Sequence, residues 1–327
     1  MIHCTTSTER WELNEPFATA RDSITHVPVI VATLVDRDGR RGWAEAAGVD
    51  YDGETPSSMA RDIGALGSEL PDGLTGDQLR LRLPAGGARN ALDCALWDLR
   101  AKQTGIPAWQ AAHLEPTQPV TTVLTIGLGS EVETRRKARA ATGYPVLKLK
   151  VDADRHVDVV RIVREEQPAA RLIVDANQAW SRSLLERLLP RLADLGVELV
   201  EQPVTRGDDA SLEGLRTTLP LAADESCTDR ASLAALVGRY QFANIKLDKC
   251  GGLTEALSMV REARRLGLGL MVGNMCGTSL AMAPAFLIAQ SCRYVDLDGP
   301  LLQRLDRDVP IRFTGGLMHV PEQALWG

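Results

Sequence analysis

From residue 119 onward the chain alternates short apolar runs with amphipathic stretches, about every 25 residues. The runs are 120–127, 146–151, 172–176, 197–202, 219–225, 242–248, 268–273 and 294–298. Eight strand-length runs with seven helical stretches between them predict βα repetition. With right-handed crossovers this closes most readily as a barrel of parallel strands, here without its last helix. The first 115 or so residues lack that rhythm: a strand-like run at 27–35, a turn at 36–41, then a Gly/Pro/Ser-rich stretch at 48–58. Residues 88–104 are apolar at helical spacing (Ala91, Leu92, Ala95, Leu96, Leu99), and Gly105 to Pro107 end the helix. This part reads as a separate α+β unit.

Charge and composition narrow the function. The 327 residues hold 37 Lys and Arg against 43 Asp and Glu, a net charge of −6, so the basic excess that phosphate binding needs is missing and no nucleic-acid partner is expected. Apolar stretches such as 266–273 fall far short of the roughly 20 residues that span a bilayer, and residues 1–10 are too polar for a signal peptide; no membrane partner and a soluble, cytoplasmic protein are expected. Six cysteines without a CxxC pair read as reduced thiols. The five histidines lie away from the strand ends, and no GxGxxG or GxxxxGK[ST] motif is present, so His-based and nucleotide chemistry lack support.

In a barrel of this kind functional residues sit at the carboxyl ends of the strands. The second run reads Leu147, Lys148, Leu149, Lys150; side chains alternate, so if the leucines face the helices both lysines enter the barrel, the alternative being lysines solvated at a strand end. Runs three, four and five end in Asp175, Glu201 and Asp224, 26 and 23 residues apart. Three carboxylates at neighbouring strand ends repel one another unless a cation lies between them, and oxygen ligands without histidine suit Mg2+. The competing reading is helix capping. In run six, Asn244, Lys246 and Asp248 share one face, which sets Lys246 across from Lys150 and leaves Lys249 at the rim. Asp296 and Asp298 share a face at the end of run eight, as a site or as ordinary turn chemistry before Gly299 and Pro300.

The motifs KLK (148–150), VDAN (174–177), EQP (201–203), ADES (223–226) and NIKLDKCGGL (244–253) resemble the enolase superfamily, muconate-lactonizing subgroup. DLDGP (296–300) and LPAGGARNALDCALWDL (83–99) resemble the dipeptide epimerases, especially the L-Ala-D/L-Glu epimerases. The resemblance implies an α/β fold: a (β/α)7β TIM-like barrel over 116–300, an α+β capping domain over 1–115, and a tail over 301–327 that returns to complete the cap. It implies Lys150 and Lys246 as acid/base lysines, Lys148 as their support, Asp175, Glu201 and Asp224 as Mg2+ ligands, and Asp296 and Asp298 as partners of a substrate ammonium.

Two positions depart from the family pattern: Asn274 stands where a small Cys or Ser is common, and Val123 where strand one often offers a hydroxyl, with Thr125 next on that face. Arg21, in the loop 17–23, is a candidate for a substrate carboxylate, and the loop 48–58 for a lid that orders on ligand binding. Proton removal next to a carboxylate yields an enediolate that a metal stabilises, and two lysines on opposite faces make the reaction a 1,1-proton transfer. The expected function is epimerization at the C-terminal residue of a dipeptide, an isomerase activity of murein peptide metabolism. N-acylamino acid racemase, o-succinylbenzoate synthase and a non-catalytic ligand-binding barrel stay open, as does a homo-oligomer.

Overall fold

The computed structural model describes residues 1–327. The chain opens with a strand longer than its polar composition suggests, Ile2–Ala18, which pairs antiparallel with Ser23–Val35; Arg41–Ala46 and the short Glu69–Leu70 complete a four-stranded sheet. The first strand escapes a reading by hydrophobicity because most of its residues are exposed, and only Ile2, Cys4 and Leu13 are buried.

The helix Gly87–Thr104 lies between this sheet and the barrel. Its close approach to the sheet depends on Gly42, where a Cβ would stand 2.5 Å from Ala95 O and from Leu99 N. Because both sides of the helix are covered over most of its length, Arg89, Asp93 and Asp98 are buried too and each has partners. Arg89 donates to Cys250 O (2.6 Å) and Gly251 O (3.1 Å), Asp93 accepts from Thr254 Oγ1 (2.6 Å), and Asp98 accepts from the backbone N–H of Trp43 (2.9 Å) and of Gly327 (2.8 Å).

Eight parallel strands follow in sequential order: Leu124–Ile126, Val146–Lys150, Arg171–Asp175, Val197–Glu201, Leu221–Ala223, Phe242–Ile245, Gly269–Val272 and Tyr294–Val295. Val123 N–H donating to Val295 O at 2.9 Å joins the eighth to the first. Three expectations are corrected. The run 120–127 divides: Val120–Thr121 pairs with Leu317–Met318 of the tail, and only Leu124–Ile126 enters the barrel. Strand six ends at Ile245, and a helical turn Leu247–Cys250 follows. The crossover after strand four holds only the 3-10 turn Asp209–Leu212, and the one after strand five a four-residue helix, Leu233–Leu236, so seven full helices do not form. Gly207, Gly214 and Pro220 interrupt the first of these segments and prevent a longer helix.

Inside the barrel, one residue from each strand makes an apolar floor: Val123, Val146, Ile173, Leu199, Ala222, Phe242, Met271 and Tyr294. Alternation puts the next inward-facing residues two positions later. These are Thr125, Lys148, Asp175, Glu201, Asp224, Asn244, Gly273 and Asp296. The polar layer is thus a direct consequence of strand register. Gly273 is needed within it, since a Cβ there would come within 2.9 Å of the Asn244 amide and of Lys246 Cε.

Candidate active site

Lys148 is almost wholly buried at the centre of this layer. Its Nζ donates to Asp296 Oδ2 (2.7 Å) and lies 3.0 Å from Asp175 Oδ2 and 2.8 Å from Glu201 Oε2. Burial works against its charge, but Asp175, Asp296 and Glu201 outweigh burial and hold it well above the usual lysine value. Lys150 Nζ, one step nearer the mouth, donates to the same Asp175 Oδ2 at 2.6 Å. Lys246 Nζ donates to Asp224 Oδ2 at 2.8 Å; burial again opposes the charge, and Asp224 outweighs it.

Each expected metal ligand has one oxygen fixed by the fold. Asp175 Oδ1 accepts from Asn177 N–H (3.0 Å), Glu201 Oε1 from Asn244 Nδ2 (2.8 Å), and Asp224 Oδ1 from Lys249 Nζ (2.5 Å). The second oxygens meet ammonium groups. Glu201 Oε2 has Lys148 beside it in a direction that makes no hydrogen bond, so it is a buried acceptor without a donor. Burial and Asp175 raise the Glu201 carboxyl to about 7. The three carboxylates are held to the lysines rather than drawn together around one point. An all-carboxylate donor set with one orphaned buried oxygen, on Glu201, has the chemistry that suits a hard divalent cation, which Asp175, Glu201 and Asp224 would hold.

The remaining expected residues divide. Asp298, mostly buried, accepts the backbone N–H of Thr125 at 2.6 Å and has the Thr125 side chain beside it; burial and Asp296 raise Asp298 to about 7. Asn274 has both ends of its amide engaged: Nδ2 donates to Asp296 O and Oδ1 accepts from Cys276 N–H, each at 2.6 Å. It braces the loop between strands seven and eight. Arg21 reaches over the mouth, where Nη1 donates to Glu225 Oε1 at 2.5 Å and the guanidinium stands 4.6 Å from the Tyr51 ring centroid. The loop read as a lid is docked: Gly48 N–H donates to Asp248 Oδ1 (2.9 Å), and Asp52 pairs with Arg206.

Several residues were missed or misplaced by sequence reasoning. Lys249 is not at the rim but buried against Asp224, because the helical turn after strand six swings it inward. The same turn carries Asp248 away from the face of Asn244 and Lys246, toward Gly48. Gln202 went unnoticed although it belongs to the EQP motif: its Oε1 accepts the backbone N–H of both Asp224 (2.9 Å) and Ser226 (3.1 Å). Gln202 also has a positive φ, as do Asn177, Gln178 and Cys276, all just past strand ends at the mouth. Such strain collects at functional sites.

A family model described as "Enolase C-terminal domain-like" matches residues 131–324, and one described as "Mandelate racemase / muconate lactonizing enzyme, N-terminal domain" matches residues 1–111. The L-Ala-D/L-Glu epimerase of Escherichia coli (strain K12) is 40% identical, over 95% of this chain and 98% of that protein. The N-acetyl-D-glutamate racemase of Pseudoalteromonas sp is 38% identical, over 91% and 95%. Among solved structures, an enolase family member from Agrobacterium tumefaciens with homology to dipeptide epimerases, holding sodium and L-Ala-L-Glu, superposes with a TM-score of 0.97 at 40% identity over 100% of both chains. A dipeptide epimerase from Methylococcus capsulatus, complexed with Mg and L-Arg-D-Lys, has a TM-score of 0.91 at 31% identity over 98% and 96%. Matched along both its sheet unit and its barrel, the chain belongs to the mandelate racemase/muconate lactonizing enzyme family of the enolase superfamily.

Proposed function

We infer that the protein is a Mg2+-dependent dipeptide epimerase that inverts the α-carbon of the C-terminal residue, with L-Ala-L-Glu and L-Ala-D-Glu as leading substrates. The observation that carries this reading is the pairing of Lys150 with Asp175 and of Lys246 with Asp224, which sets two lysines among acidic strand ends inside one barrel.

In this reading the substrate carboxylate meets the acidic strand ends. Asp175, Glu201 and Asp224 would hold Mg2+, which when bound would supply positive charge to stabilise the enediolate. Lys150 and Lys246 stand on opposite faces of the α-carbon. One takes the α-proton as a neutral amine, the other, as an ammonium, returns a proton to the far face, and the reverse reaction exchanges their roles. Lys148 stays cationic and holds Asp175 and Asp296 in place. Asn244, Lys249 and Gln202 orient the ligands, and the apolar floor closes the site from below. Residues 1–115 act as the cap, 116–300 as the catalytic barrel, and 301–327 as the strap between them.

A second reading has a specific observation behind it. Asp296 is already neutralised by Lys148 and Asp298 already accepts a backbone N–H, so the acid pair is less in need of a cation than its sequence suggests. Together with the N-acetyl-D-glutamate racemase relative, this favours an N-acylated amino acid. The deciding experiment is α-proton exchange in D2O with Mg2+, comparing L-Ala-L-Glu with N-acetyl-L-Glu. Faster exchange on the dipeptide supports epimerase function; exchange on the acetylated compound alone overturns it.

A further inference from the structure

We propose that Asp209, on the short turn after strand four, is a positioning residue for the metal site: it takes the hydroxyl protons of Ser226 and Tyr240 and so fixes the Gln202 amide that holds the backbone at Asp224. This rests on the reading of Asp224 as a metal ligand and deepens it.

Donor and acceptor counting leads to Asp209. Gln202 Oε1 accepts the backbone N–H groups of Asp224 and Ser226, at 2.9 and 3.1 Å. Its Nε2 faces three oxygens: Val204 O (2.9 Å), Ser226 Oγ (3.0 Å) and Tyr240 Oη (3.1 Å). An amide nitrogen only donates, so both hydroxyls must accept from it, and their own protons need another acceptor. Asp209 Oδ1 is that acceptor, 2.6 Å from each hydroxyl oxygen. Bonds of this length to a carboxylate are charge-assisted and among the strong ones.

Asp209 is itself held in place. Its Oδ2 accepts from Gly207 N–H at 3.1 Å, and Gly207 has a φ of 98°, which glycine adopts without strain. The turn Asp209–Leu212, standing where a full helix was expected, thereby brings a carboxylate against Ser226, just past strand five, and Tyr240, just before strand six. Tyr240 is buried, so its proton has little access to water. Without Asp209 the two hydroxyl protons would lack an acceptor or turn toward the Gln202 NH2, donor against donor, and push the amide off Asp224 N–H. Asp224 meets Lys249 through Oδ1 and Lys246 through Oδ2, contacts that depend on where its backbone stands. Groups one step behind a metal ligand commonly change metal affinity 10- to 100-fold when they are removed, or about that.

The test is calorimetric titration of the substrate-free protein with Mg2+, for the wild type, Asp209→Ala, Asp209→Asn, Ser226→Ala and the double variant Asp209→Ala/Ser226→Ala. Asp209→Ala is expected to raise the Kd about tenfold or more, and Asp209→Asn, which keeps an acceptor oxygen, to raise it less. The losses from Asp209→Ala and Ser226→Ala are expected to fall short of adding, because Asp209 acts through Ser226. A Kd within about twofold of the wild-type value in the Asp209 variants that fold overturns the proposal, even where they melt at a lower temperature, since that is the mark of a merely structural residue. A wild-type protein that binds no Mg2+ refutes the metal reading instead. Amide hydrogen exchange then decides the role of Asp209: exchange over residues 222–227 is expected to quicken in the Asp209 variants while that over 171–175 is unchanged, and equal exchange over 222–227 overturns the role.

Discussion

Lys148 Nζ and Asp296 Oδ2 lie 2.7 Å apart, so an ion pair crosses the inside of the barrel from the second strand to the eighth. Asp296 therefore has its charge matched within the protein. Asp298, raised to about 7 by burial and by Asp296, is the acid left to meet a cation from outside. Asp298→Asn should lower kcat/KM for a free dipeptide roughly 10- to 100-fold, as expected for one charge-assisted hydrogen bond, and far less for its N-acetylated form. Asp296→Asn should depress kcat for both, because it frees Lys148. Equal losses on the two substrates for Asp298→Asn would remove the ammonium assignment.

Replacing Lys150 or Lys246 with alanine should abolish epimerization in both directions, since each face of the carbon loses its only proton carrier. One isomer should still exchange its α-proton with D2O in each variant, and the isomer should differ between the two. NMR of both isomers reads this directly; continued epimerization by either variant contradicts the two-base scheme.

Activity should vanish on chelation and return with Mg2+. Asp224→Asn should raise the Mg2+ concentration needed for half activity by at least about tenfold, as one of three anionic ligands becomes neutral. A titration curve superimposable on that of the wild type would exclude Asp224 as a ligand.

Asp248 links the barrel to the cap through Gly48 N–H, and burial raises its carboxyl to about 7. The folded value lies above the ordinary 3.8, so its contribution to stability is full below pH 4 and is lost as the pH rises through 7. Relative to Asp248→Asn, the wild type should lose up to about 4 kcal/mol between those limits and little beyond. Denaturant unfolding across the range measures the difference; a constant gap between the two proteins would mean that Asp248 does not titrate there.

Arg307 in the tail donates to Glu45 and, at 2.9 Å, to Thr278 Oγ1, pairs with Glu9 at 2.7 Å, and stacks over Trp11. Arg307→Met should cost about 3–5 kcal/mol by leaving Glu45 buried without its cation. Adding Glu45→Gln should restore part of the loss. If the double variant is no more stable than the single one, the pair is not coupled.

The barrel and its polar layer were legible because strand alternation is strict: given the apolar residue of each strand, the inward group two positions on follows. Alternation put Lys148 and Lys246 on inward faces, and the recurrence of one carboxylate at each strand end marked Asp175 and Glu201. Reading failed where alternation ended. Lys249 and Asp248 lie on a helical turn that the apolar run 242–248 concealed, and their directions are set by Gly251 and the cap rather than by a strand. Tyr51 lies in a loop with no periodicity, and only the folded cap reveals its neighbours. The exposed first strand carried too little apolar character to be seen.

Trp43 Nε1 donates to Leu325 O (2.7 Å) and Trp326 Nε1 to Cys94 O (3.1 Å), so the last residues cover the sheet-and-helix unit formed by the first hundred. On the ribosome this unit emerges first and must wait for its cover. Trp326 follows Cys94 by 232 residues, which at about 5–20 residues per second is roughly 10–50 s of translation. Throughout that interval the nascent N-terminal unit leaves open to water the surface that Leu325 and Trp326 later cover.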